Sequence, residues 1–299
     1  MTIQNTHTGN RDHKASLMQA ESYLRWTATG ASIVSRSLFG CVLCSLVAVS
    51  GCHSTGPSGR WDNVQRRHKD RSAALVALVH RVGHPIVIDG VIGPKEWAGA
   101  QELNVSQVYL PARGEALTVK DDAVARFLWD DQFLYFAIEM KDKDVWCSYT
   151  QRDSRLPIED VIEIFLKPSA ASDIYYEFEF SPKGVIFDLR WPKRGTRSNH
   201  WAKQYNCRCE IVATVHGTLE DFADRDEGWL VEGRIPFADL APPLNTAPKV
   251  GQAWRANVCR YNYGIDILGG REMSTWSPYQ DSEHGYHRFE DYGKFMFVE

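Results

Sequence analysis

Trp191 and Trp201 sit in a long basic and polar stretch, LRWPKRGTRSNHWAKQY, with little apolar sequence nearby to bury their rings. A flat ring held outside a core can stack on the apolar face of a ligand. The alternative for both is to plug one end of the fold. Just upstream, Glu177 and Glu179 in YYEFEF project from one face of a strand, because side chains repeat every second residue, and such a pair can hold a cation. Arg260 and Asn262 end the run AWRANVCRYNY and can donate hydrogen bonds to hydroxyls. Rings, carboxylates, Arg and Asn together suit a flat, hydroxyl-bearing ligand, with rings against C–H faces and polar groups bridging neighbouring hydroxyls.

Covalent chemistry is poorly provided for. Glycoside hydrolysis, the enzymatic alternative, needs two carboxylates at a defined separation; Glu159, Asp160 and Glu163 supply acids, but no second motif fixes an acid/base partner. No G-x-S-x-G elbow, phosphate-binding glycine loop or H-E-x-x-H motif occurs. A non-catalytic binding protein is the expectation.

The elements that must position these residues are strands. Ala123 to Met140 reads as a hairpin turning at Asp130 and Asp131, and Ile174 to Trp191 as another turning at Ser181 to Gly184. Between them, Asp160 to Pro168 alternates Val161, Glu163 and Phe165 against Ile162, Ile164 and Leu166. EIVATVHG, GWLVEGRIPF, AWRANVCRYNY and KFMFVE follow, with no convincing long amphipathic helix. The expected fold is all-β, an antiparallel two-sheet β-sandwich of immunoglobulin-like architecture. Trp97, Trp129, Trp229 and Trp254 lie in alternating contexts and are assigned to its core; Trp146 is a rim residue.

Of 299 residues, 43% are hydrophobic and 12% aromatic, which excludes collagen-like, coiled-coil and wholly disordered chains. The net charge of −4 hides an asymmetry: residues 1–81 hold 10 Lys+Arg and 4 Asp+Glu, leaving 24 and 34 in residues 82–299. Within the basic head, Ser37 to Ala48 (SLFGCVLCSLVA) is uncharged and mostly apolar, the length of a signal-peptide core, with Arg25 and Arg36 as its positive flank. It runs into Val49, Ser50, Gly51 and Cys52, which match the bacterial lipobox. Residues 1–51 are accordingly expected to be a lipoprotein signal peptide, with Met18 an alternative start, and Cys52 the lipidated first residue of an exported, cell-envelope chain anchored to membrane. Residues 52–81 read as a basic polar tether, in which Arg66, Arg67, Lys69 and Arg71 can touch anionic head groups. The acidic body, 82–299, argues against nucleic acid as a partner; the oligomeric state is open.

Four cysteines remain beyond Cys52: Cys147, Cys207, Cys209 and Cys259. They permit two disulfides in three pairings. Read as one strand, Cys207 and Cys209 would share a side, each reaching another partner rather than the other. C-x-C without a second pair or a nearby His is a weak zinc signal.

VIDGVIGPKEW, FLWDDQFLYFAIEMKDKDVW, EDVIEIFLKP, YYEFEFSPKGVIFD, GWLVEGRIPFADL, WRANVCRYN, TWSP and HRFEDYGKF, in that order from about Ile86 to Val298, resemble the successive blocks of family 9 carbohydrate-binding modules and their stand-alone relatives. The resemblance implies a two-sheet β-sandwich that holds poly- or oligosaccharide between two aromatic rings. Tyr286 takes the place of one ring, with His287 beside it; Pro157 stands where the family has Trp for the other. Glu163 matches a sugar-contacting carboxylate, its alternative being a solvent-facing strand residue, and Glu179 stands where a related module carries Arg. No cofactor is required on this reading; structural calcium is the cation the resemblance implies. The expected role is polysaccharide capture or degradation, with a structural or assembly lipoprotein that lost the sugar site as the rival.

Overall fold

The computed structural model describes residues 75–111, 118–196, 205–240, 245–267 and 269–299. The expected signal peptide, Cys52 and Trp201 lie outside these residues. All described structure belongs to one compact unit, Asp62–Glu299.

Twelve strands and three short 3₁₀ turns make up the regular structure of the described residues: β1 (Val76–Arg81), β2 (Leu103–Val108), β3 (Thr118–Trp129), β4 (Phe133–Lys141), β5 (Val161–Lys167), β6 (Tyr175–Phe180), β7 (Ile186–Trp191), β8 (Glu210–His216), β9 (Gly228–Pro236), β10 (Ala253–Tyr263), β11 (Arg271–Thr275) and β12 (Gly293–Val298). The all-β expectation holds, but two separate antiparallel sheets do not form. β10, β11, β2, β3, β1 and β12 pair in a closed ring, from which β4–β9–β8 continues off β3 and β5–β6–β7 off β10. The arrangement is mixed, because β1 runs parallel to both β12 and β3.

The two three-strand extensions meet across the main core. Ile162, Ile164, Leu166, Tyr176, Phe178 and Phe180 from one side pack in the same cluster as Phe136, Ile138, Trp229 and Val231 from the other. Phe136 and Phe180 stack with ring centroids 4.9 Å apart. Each such side chain contributes roughly 1.5–3 kcal/mol when fully removed from water. Trp97, Trp129, Trp229 and Trp254 are all buried, as their contexts indicated.

Local chemistry explains the turns. Asp130 Oδ1 accepts the N–H groups of Gln132 (2.7 Å) and Phe133 (2.8 Å), closing the β3–β4 hairpin. At the β6–β7 turn Gly184 takes φ +73°, a left-handed conformation that costs glycine nothing. The buried Glu232 of β9 accepts the N–H groups of Asp89 and Gly90 and the Trp97 indole N–H, each at 2.9 Å, so the distant stretch VIDGVIGPKEW is clamped onto GWLVEGRIPF.

Two further expectations are corrected. The last part of the predicted tether, Val76–Arg81, is strand β1, burying Ala77 and Val79 and pairing with Lys294 to Val298. Cys207 and Cys209 bond to each other, with Cα atoms 5.2 Å apart. They precede β8, and outside an extended strand the chain can bend enough to bring alternate residues into disulfide range. Cys147 and Cys259 are free and buried.

Candidate functional site

The second face of β5, β6, β7 and β10 carries the candidate site. Alternation sends Ile162, Ile164, Phe178 and Phe180 into the main core, so Glu163, Phe165, Tyr175, Glu177 and Glu179 must project to the other side. Strand register then does the rest. Glu163 stands directly across from Glu179 on β6 and from Cys259 on β10, while Tyr175 stands across from Trp191. Directly opposed side chains in an antiparallel pair approach to about 5 Å at Cβ. Glu177 joins them as the next residue along the same face of β6. One carboxylate oxygen from each of Glu163, Glu177 and Glu179 lies within 4.8 Å of the others.

A layer of rings closes over this face. Trp191 donates its indole N–H to Glu177 Oε2 at 2.6 Å and stacks parallel to Tyr175 with centroids 5.9 Å apart. His287 meets Trp191 edge-on at 4.9 Å, and its Nδ1 lies 3.1 Å from Tyr175 Oη. The C-terminal stretch supplies Tyr279, Tyr286 and Tyr292 to the same buried cluster. Tyr286 is fastened at both ends: its carbonyl accepts the hydroxyls of Tyr279 and Tyr292, each at 2.8 Å, and its own hydroxyl donates to the Arg260 carbonyl at 3.2 Å.

Glu163, Glu179, Trp191, Tyr286 and His287 therefore share one face, but their exposure differs from expectation. Trp191 is 7% exposed and Tyr286 4%, so both are ring-on-ring packing rather than open platforms. Glu163 is not solvent-facing either, at 2%. Burial first, and the charge of Glu177 second, holds the Glu163 carboxyl well above the usual range. Glu179 is raised likewise by burial and by its two acidic neighbours. Half-buried rings remain at the margin, where His287 adjoins Phe289; Lys167 Nζ and the Arg194 guanidinium lie 4.8 and 4.5 Å from the Phe289 ring, and Arg194 also pairs with Glu290 at 2.5 Å.

Arg260 and Asn262 do not belong here. One residue out of step with Cys259 and Tyr261, they turn to the opposite side of β10. Arg260 donates to Asp142 Oδ2 (2.9 Å) and the Asp121 carbonyl (2.8 Å), a buried ion pair that ties β10 to the end of β4. Asp160 helps frame that region by accepting the N–H groups of Trp146 and Tyr263. Pro157 lies in the 3₁₀ turn Leu156–Ile158, its carbonyl accepting the Tyr263 hydroxyl at 2.9 Å. Trp146 is half-buried near Phe222, with ring centroids 6.3 Å apart.

Sequence reasoning missed Tyr175 and Phe289. The parity of YYEFEF places Tyr175 with Glu177 and was available as a signal; Phe289 had none, since it depends on how the C-terminal stretch folds back. What the whole face can do is stack on rings at its margin, exchange hydrogen bonds there through Arg194 and Glu290, and offer three converging carboxylates beneath; the buried Lys167 ammonium is already bonded to the Ser169 and Ser172 carbonyls.

Comparison with known proteins bears on this arrangement. The family model described as carbohydrate family 9 binding domain-like matches residues 88–295. The chain is similar in fold to a crystallised protein of Bacteroides uniformis ATCC 8492 described as a "putative carbohydrate-binding protein", at 17% identity and a TM-score of 0.57, over 75% of this chain and 99% of that one. It is also similar to a carbohydrate-binding module of family 9 from Caldicellulosiruptor kristjanssonii in complex with cellotriose, at 16% identity, TM-score 0.49, over 75% and 93% of the two chains. The corresponding glucose complex gives 17% identity, TM-score 0.48, and 74% and 95% coverage. No curated protein matches the chain significantly.

Proposed function

The chain belongs to the carbohydrate family 9 binding domain-like family, and from that premise we propose that it binds poly- or oligosaccharide without transforming it. The observation that carries this reading is the family match over residues 88–295, which spans every strand of the candidate face. The margin of that face supports it: His287 and Phe289 are half-buried rings beside Arg194 and Glu290, a ring-and-charge grouping suited to pyranose C–H faces and hydroxyls. A shallow margin gives modest affinity and fast release, as capture near a membrane requires. Export and anchoring through lipidated Cys52 complete the proposal, on the strength of the Val49–Cys52 motif.

A second reading, a structural or assembly lipoprotein without a sugar site, is favoured by one observation: Trp191 and Tyr286 are packed away. A glycan array probed with the full chain separates the two. Saccharide binding predicts retention of at least one glycan class, weakened several-fold by Phe289→Ala. Failure to retain any glycan would sink the saccharide reading and leave the assembly reading standing.

A further inference from the structure

We propose that Glu163, Glu177 and Glu179 form a divalent-cation site, binding the ion through carboxylate oxygens beneath the ring layer. The geometry is that of shared ligation. Oxygens coordinated to one calcium-sized ion at about 2.4 Å lie no more than about 4.8 Å apart, and one oxygen from each of the three carboxylates meets that condition. The backbone fixes the grouping: Glu163 and Glu179 are register partners across β5 and β6, and Glu177 follows on the same face. None of the three depends on a loop.

A second observation points to a ligand. Glu179 is 98% buried and, among the described residues, its Oε2 has no hydrogen-bond partner, although a buried carboxylate oxygen ordinarily takes several. Glu177 differs: Trp191 Nε1 holds one of its oxygens at 2.6 Å, the kind of outer contact that orients a metal ligand. Among the described residues, no positive charge compensates them: the charges acting on Glu163 and Glu179 are those of the other glutamates. Burying carboxylates without a counter-charge is expensive, and a cation removes that cost. An all-oxygen, all-carboxylate set selects a hard ion, of the calcium, magnesium or manganese type, over zinc or copper.

The test uses the full chain stripped with chelator and then given terbium, calcium, magnesium or manganese, with no sugar present, so its outcome is separable from the saccharide reading. Trp191 touches a ligand carboxylate and should sensitise bound terbium. The expected result is saturable tryptophan-excited terbium luminescence, displaced by calcium or manganese, with a rise in Tm of about 5–10 °C at a hundredfold excess of ion over Kd. Glu179→Gln, nearly isosteric, should weaken binding about tenfold or more. In chelator the order of stabilities reverses: Glu179→Gln melts above the parent chain, because the cost of burying an ionisable carboxyl beside two others is gone. Glu163→Gln repeats the comparison from the other strand. Absence of sensitised luminescence together with an unchanged Tm in every ion overturns the proposal, as does undiminished binding in both variants.

Discussion

Asp188 shows how one side chain on the core side of β7 reports on the fold. It accepts the Cys207 N–H at 2.6 Å and pairs with Arg152, yet burial outweighs both and pushes its carboxyl up to about 6. The folded chain therefore keeps this proton between about pH 4 and 6, where the unfolded chain has already released it, so the contribution of Asp188 to stability falls as pH rises through that window and is flat above it. Carbon-13 NMR of the carboxyl should show a midpoint near 6, and the matching slope in urea-denaturation stability should flatten in Asp188→Asn; a midpoint near 4 contradicts the burial. The candidate site was legible at this scale only as far as parity reaches. The period of two in YYEFEF and DVIEIF places Glu163, Glu177 and Glu179 on one face, and the structure brings them together. The same parity separates Arg260 and Asn262 from Cys259, but which side of β10 faces the rings depends on tertiary packing. Likewise, the basic and polar neighbours of Trp191 suggest exposure, whereas its partners, Tyr175, Glu177 and His287, lie elsewhere in the chain.

Among the elements, strands with strong alternation and defined turns were readable: β3–β4 around Asp130 and β6–β7 around Gly184 fall where the sequence places them. β1 was not, because its inward residues are only Ala77 and Val79 and it follows a run of basic residues. Its place is set by pairing with β12, more than 200 residues away, which no local pattern encodes. Cys207 and Cys209 misled for a related reason: the strand assumed for them starts only at Glu210. Long-range clamps of this kind should dominate stability. Glu232→Ala would leave three N–H donors without their acceptor, those of Gly90 and Trp97 buried and that of Asp89 part-buried; a loss of about 3 kcal/mol or more in urea denaturation is expected, with Glu232→Gln milder because it keeps a carbonyl acceptor. An effect below about 1 kcal/mol would show that the clamp is dispensable.

For the molecule as a whole, the fold class came through in the sequence and the closure did not. Alternating runs identify an all-β chain, but the ring β10–β11–β2–β3–β1–β12 depends on parallel contacts of β1 that close two edges at once. The acidic body and basic head have separate explanations, and the head makes its own prediction: expressed with its native N-terminus in a lipoprotein-processing bacterium, the chain should carry lipid on Cys52 by mass spectrometry and fractionate with membrane, and Cys52→Ala should abolish both. An unmodified Cys52 on a membrane-free chain would refute the anchor. The central claim, saccharide binding on the β5–β6–β7–β10 face, is tested most directly by calorimetric titration of the full chain with neutral and acidic oligosaccharides, cellotriose among them, in calcium and in chelator. The account predicts saturable heat in the micromolar-to-millimolar range for at least one of them, weakened several-fold by Phe289→Ala; no heat from any glycan in either condition would contradict it.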